Sequence, residues 1–143
     1  MSRTHIPVSL RRLAYERAGG CCEYCGMSER FSFALHQIDH IIAEKHGGAT
    51  MAENLALSCI LCNKHKGSDL ASIDPLTGKI SPLFHPRSHV WLEHFAFEAD
   101  GRLVSATAEG RATIRLLQMN QPERVEERRL LREYGFWLAL MPG

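Results

Sequence analysis

The chain has 143 residues, 45% of them hydrophobic, enough to bury a core and most simply organised as a single domain over residues 1–143. Seventeen Lys and Arg oppose sixteen Asp and Glu, so bulk charge points to neither nucleic acid nor membrane, and any basic footprint must be local. Dividing the chain after Lys66 changes little, since residues 1–66 carry eight basic and six acidic side chains and the remainder nine and ten.

No stretch has the unbroken apolar length of a transmembrane helix, and residues 1–7 lack the apolar run of a secretory signal, so a cytoplasmic protein without a membrane partner is expected. Leu10, Leu13, Ala14 and Ala18 recur at helical spacing behind Pro7 and stop at Gly19-Gly20, which predicts a helix over about 8–18. The rough alternation of residues 33–42 predicts a strand or bent hairpin with Asp39 and His40 near its end. After a Gly47-Gly48 loop, residues 54–58 read as a second short strand and 59–66 as a short helix carrying Asn63. Residues 67–92 read as an ordered connector, with a turn at 74–78 and with Pro82 and Pro86 discouraging regular structure. Segments 94–98 and 103–107 flank Asp100-Gly101 as a hairpin, a helix is predicted over about 108–119, and a charged helix over 123–134 follows Pro122. The charge run of that last helix reads as a solvated face.

Four of the five cysteines form two Cys-x-x-Cys pairs, Cys22/Cys25 and Cys59/Cys62, separated by 33 residues. Each pair can present two thiolates on one tight turn, and four thiolates suit a single tetrahedral structural Zn²⁺. A thioredoxin-like dithiol needs one reactive pair rather than two distant ones, and a disulfide framework does not suit a reducing compartment. Cys21 reads as a structural thiol beside the first knuckle.

A second group of residues carries different chemistry. Hydrolysis of a phosphodiester needs a hydroxide aimed at phosphorus and a cation to neutralise developing charge. His40 can take a proton from water, Asp39 offers a hard anionic oxygen to a divalent cation, and Asn63 can add a neutral carbonyl oxygen. Adjacent strand residues point to opposite faces, so Asp39 and His40 share a site only where the backbone bends or the strand ends.

Together these motifs resemble the HNH nucleases. An Asp-His pair on a first strand, a middle Asn and a His or Asn on the following helix match Asp39-His40, Asn54 and Asn63, with Asn63 in place of the terminal His of the name pattern. The resemblance implies an α+β fold with a zinc-stabilised ββα-metal core of the His-Me finger kind over 22–67, preceded by a helix and followed by a hairpin and helices. It implies His40 as general base, Asp39 and Asn63 as ligands of a catalytic Mg²⁺ or Mn²⁺, and Asn54 as the residue that fixes the loop. The implied activity is endonucleolytic cleavage of DNA, double-stranded by expectation, with no small-molecule cofactor. Residues 83–143 look like an α/β extension found in some bacterial members.

Other residues read less specifically. His36 suits either a phosphate contact or donor beside the site or a strand histidine satisfied by backbone; His46 suits a solvated loop position or a DNA contact, and His65 a helix position on the opposite face or a metal ligand. His85, His89 and His94, near Trp91, read as packing or surface residues, and Lys45, Lys64 and Lys66 as phosphate contacts or ordinary surface lysines. The competing functional readings are a zinc-finger-like module that binds nucleic acid without cutting it, and a thiol redox protein.

Overall fold

The computed structural model describes residues 5–137; residues 1–4, part of the segment read for a secretory signal, and 138–143, the end of the expected extension, lie outside the described residues. Helix α1 (Val8–Ala18) starts behind Pro7, whose carbonyl accepts the Leu10 and Arg11 amides, and ends at Gly19, as the spacing predicts. It buries Ala14 and Ala18, and the Arg17 guanidinium reaches across to the Leu55 carbonyl. The first cysteine knuckle follows directly.

Strand β1 (Gln37–His40) pairs antiparallel with β2 (Leu55–Ser58), with Asp39 opposite Ala56 and His40 opposite Leu55. Only the end of the predicted 33–42 segment is strand: residues 33–36 precede it as loop, and Phe33 is fully exposed. Helix α2 (Ile60–Lys66) begins at Cys59, whose sulphur caps it by accepting the Cys62 amide. Sequence order is therefore strand, loop, strand, helix.

The connector holds more regular structure than expected. Strands β3 (Ala71–Ile73) and β4 (Ile80–Pro82) form a hairpin around the 74–78 turn. Pro82 is accommodated because it closes β4, where no further ladder donor is needed. Helix α3 (Trp91–His94) leads into a short hairpin of β5 (Ala96–Phe97) and β6 (Leu103–Val104). At its Asp-Gly turn, Gly101 has φ 95°, the left-handed conformation that made this dipeptide a turn signal.

Helices α4 (Ala108–Leu116) and α5 (Pro122–Glu133) complete the α+β architecture. Thr107 caps α4 through the Gly110 amide, and Pro122 occupies the first turn of α5. Arg111 of α4 clamps Asp74 with two 2.9 Å hydrogen bonds, tying the extension to the β3–β4 turn; these bonds hold the Asp74 carboxyl well below the usual carboxylate range. One buried cluster runs from Cys22, Tyr24 and Ala56 through Phe84, Trp91 and Phe95 to Leu103, Leu117 and Met119. The Trp91 indole N–H closes this seam on the Tyr24 carbonyl at 2.8 Å.

The solvated reading of the last helix needs correction. Arg124 and Arg128, one turn apart, are buried, and their guanidinium groups end on carbonyls and on a cysteine sulphur. Only the opposite side, where Arg129 pairs with Glu126 and Glu133, matches the expected exposed charge ladder. No described helix is long and apolar enough to cross a membrane.

Candidate metal centre and catalytic cleft

All five cysteines are buried and reduced. The sulphurs of Cys22, Cys25, Cys59 and Cys62 lie within 4.8 Å of one another, with Cys25 and Cys59 at 3.7 Å. Thiolates bound to zinc at about 2.3 Å would form a tetrahedron with edges of about 3.8 Å, so the four donors fit one ion with little adjustment. Backbone amides support them: the Cys25 amide donates to Cys22 Sγ, the Met27 amide to Cys25 Sγ and the Cys62 amide to Cys59 Sγ. The fifth cysteine, Cys21, instead points its thiol at the Gly19 carbonyl, and burial pushes its pKa up. It is a structural thiol, as its position beside the knuckle suggested.

The second group lies at the end of β1. A cleft of about 590 Å³ is lined by Asp39, His40, Asn63, Lys45, Arg11 and Gly67 among others. Strand alternation is respected, since Lys66 of α2 reaches Asp39 on one side while the His40 ring turns toward Thr50 on the other. The two side chains nevertheless line one cleft because β1 ends at His40.

Asp39, His40 and Asn63 each have a side-chain partner there. The Tyr24 hydroxyl donates to Asp39 Oδ2 at 2.9 Å, and the Lys66 ammonium sits 3.1 Å from the same oxygen. Burial pushes the Asp39 carboxyl above the usual range, with Lys66 and the Tyr24 hydrogen bond pulling against it. His40 Nε2 lies 2.9 Å from Thr50 Oγ1, whereas Nδ1 has no partner among the described residues. The Asn63 amide donates to Gln37 Oε1, which leaves its carbonyl oxygen for a cation. One carboxylate and one amide oxygen on the same cleft are donors suited to a hard divalent ion that keeps several of its waters.

Asn54 works on the loop rather than in the cleft. Its side chain accepts from the Ile42 amide and donates to the Ile42 and Ala49 carbonyls, folding residues 42–54 back on themselves. Gly48 sits inside this knot, where a Cβ would lie 1.7 Å from the Ile42 oxygen.

Several residues fall elsewhere than anticipated. Lys66 is buried on Asp39 and is no phosphate contact, whereas Lys45 is exposed on the cleft rim. His36 lies in the loop before β1 rather than on the strand; it lines the cleft, and its Nε2 meets the Met27 carbonyl at 2.7 Å. His65 does not line the cleft. His89 and His94 pack against Phe84, and His85 against His89, in keeping with a packing role.

Tyr24, Thr50, Gln37 and Arg11 were missed. Gln37 was accessible in principle, because it stands two residues before Asp39 and therefore on the same strand face. Nothing local marks Thr50 or Tyr24, which meet their partners across loops.

No curated protein matches the chain. Residues 22–69, the segment that carries both cysteine knuckles, the β1–β2 pair and α2, match the family model described as HNH endonuclease.

Proposed function

We propose that the protein is a metal-dependent endonuclease that hydrolyses phosphodiester bonds of double-stranded DNA in the cytoplasm. The observation that carries this reading is the convergence of Asp39, His40 and Asn63 on one cleft at the end of β1. A module that only bound nucleic acid would not need a base, a carboxylate and an amide oxygen there. In this reading the whole chain is one domain, with 22–67 as the catalytic core and 83–143 as the extension that supports it, in keeping with the buried cluster they share.

Four thiolates hold a structural Zn²⁺, which fixes the first knuckle against the start of α2. Asp39 and Asn63 hold the catalytic ion, and Mg²⁺ or Mn²⁺ bound there supplies a Lewis acid to the phosphate and its leaving oxygen. His40 Nε2 is engaged by Thr50 Oγ1, and in the tautomer that donates there Nδ1 is left to take the proton from the attacking water. Arg11 and Lys45 place positive charge on the walls of the cleft for the DNA backbone.

Incubating supercoiled plasmid with the purified protein and Mg²⁺ or Mn²⁺ tests the reading. Cleavage by wild type that falls ~10²- to 10⁴-fold in His40→Ala, with zinc content and circular dichroism unchanged, is expected from the loss of a general base. Shifted DNA without cleavage under any divalent ion would favour the zinc-finger-like binding module instead.

A further inference from the structure

A zinc ion held by four thiolates carries a net charge of about −2, and a buried charge of that size needs compensation. The buried α5 arginines face the opposite difficulty. Arg124 and Arg128 form no ion pair with a carboxylate among the described residues. Arg124 Nη2 instead donates to Cys62 Sγ at 3.1 Å, while its Nη1 is held by the Leu117 carbonyl at 2.6 Å and the Gln118 carbonyl at 3.2 Å. Arg128, one turn further, is fixed by the Gly101 and Met119 carbonyls. The guanidinium of Arg124 is thus aimed at the sulphur by the α4–α5 connection.

We propose that Arg124 is a charge clamp on the structural metal site, through which the C-terminal extension sets how firmly zinc is retained. The hydrogen bond lowers the energy of the Cys62 thiolate lone pair, making it a poorer nucleophile and a poorer proton acceptor. Arg128 adds a second buried positive charge on the same helix face. Cys62 immediately precedes Asn63, so the clamp also steadies the turn of α2 that lines the cleft. This inference rests on the cysteine cluster holding a metal and is independent of whether the protein cuts DNA.

The test uses the full-length zinc protein and a chromogenic zinc chelator. Arg124→Met is expected to release zinc on the order of tenfold faster than wild type, Arg124→Lys to recover part of the difference, and Arg129→Ala, on the exposed side of α5, to release at the wild-type rate. In the Co²⁺-substituted protein the thiolate-to-cobalt charge-transfer band is expected to move to longer wavelength in Arg124→Met, a change that general loosening of the helix does not produce. Should Arg124→Met fail to fold, Arg124→Lys, which keeps charge and most of the length, reports on the same band. Unchanged zinc release and an unmoved cobalt band in folded variants would overturn the clamp, as would equal acceleration by Arg129→Ala. Folded wild-type protein that binds no zinc would overturn the clamp and the zinc site together, whereas an inactive wild type with normal zinc retention bears on the nuclease reading alone.

Discussion

The ammonium of Lys66 lies 3.1 Å from the carboxylate of Asp39, and both side chains are almost wholly removed from solvent. The pair ties α2 to β1, and Lys66 donates a further hydrogen bond to the His40 carbonyl at 3.3 Å. A carboxylate proposed to hold a divalent ion is therefore positioned, and partly neutralised, by a cation of the protein itself.

Lys66→Met should consequently leave a buried, uncompensated Asp39. Removal of one partner of a buried pair costs about 3–5 kcal/mol, and Asp39→Asn in the same chain should restore much of it. The pH dependence follows from the raised Asp39 pKa. A carboxyl whose folded pKa exceeds its unfolded value destabilises the fold above both values, and the penalty fades as pH falls through them. The Lys66→Met deficit should thus be largest near neutrality and shrink on acidification, as measured by urea unfolding over the range in which zinc stays bound. A deficit that grew toward acid pH would contradict this account of the pair.

Gly48→Ala should open the loop that precedes β2. The added methyl would meet the Ile42 oxygen at 1.7 Å and the Asn54 amide nitrogen at 2.8 Å, so the three Asn54 hydrogen bonds cannot all survive. At about 0.5–1.5 kcal/mol for each net hydrogen bond, Asn54→Ala, which removes all three, should lose about 1.5–4.5 kcal/mol, and Gly48→Ala a comparable share of that. Their effects should not add, since both break one knot. Thermal unfolding of the two single variants and the double variant measures this.

Much of the core was legible because its signals are local. The Cys-x-x-Cys spacings, the Pro7 to Gly19 helix and the Asp100-Gly101 turn each specify geometry within a few residues. The fate of charged residues was not legible in the same way. Glu123, Arg124, Glu127 and Arg128 satisfy a solvated i,i+4 pattern, yet two of the four turn inward because their partners are distant in sequence, the Cys62 sulphur 62 residues away for Arg124 and the Gly101 carbonyl for Arg128. Lys66 misled for the same reason, its partner Asp39 lying on another element. The partners of His40 and Asn63, Thr50 and Gln37, show only after β1, its following loop and α2 are assembled.

Cys59→Ser should be more damaging than loss of a metal ligand alone. Cys59 caps α2 as well as contributing to the thiolate cluster, and its sulphur accepts the Cys62 amide at 3.4 Å. Structural zinc contributes about 10–16 kcal/mol of apparent binding free energy in small zinc-finger peptides, a large share of the stability of any domain this size. The variant should contain less than stoichiometric zinc by metal analysis and melt without a cooperative transition. A folded, cooperative Cys59→Ser protein without metal would show that the buried cluster stands without its ion.

Asn63 separates a ligand role from a helix role. Its amide nitrogen is committed to Gln37, which orients the carbonyl oxygen as the group left for a cation. Asn63→Ala should raise the Mg²⁺ or Mn²⁺ concentration needed for half-maximal plasmid cleavage while leaving zinc content and melting temperature near wild type. Gln37→Ala should reproduce the shift more weakly, because it frees the amide to rotate without removing the oxygen. Asn63→His replaces a hard oxygen with an imidazole nitrogen, so activity should persist and the preferred ion move toward Co²⁺, Ni²⁺ or Zn²⁺. Metal-dependence curves for the three variants decide the matter: an unchanged curve for Asn63→Ala would make this residue a partner of Gln37 only, and would leave Asp39 as the sole protein ligand of the catalytic ion.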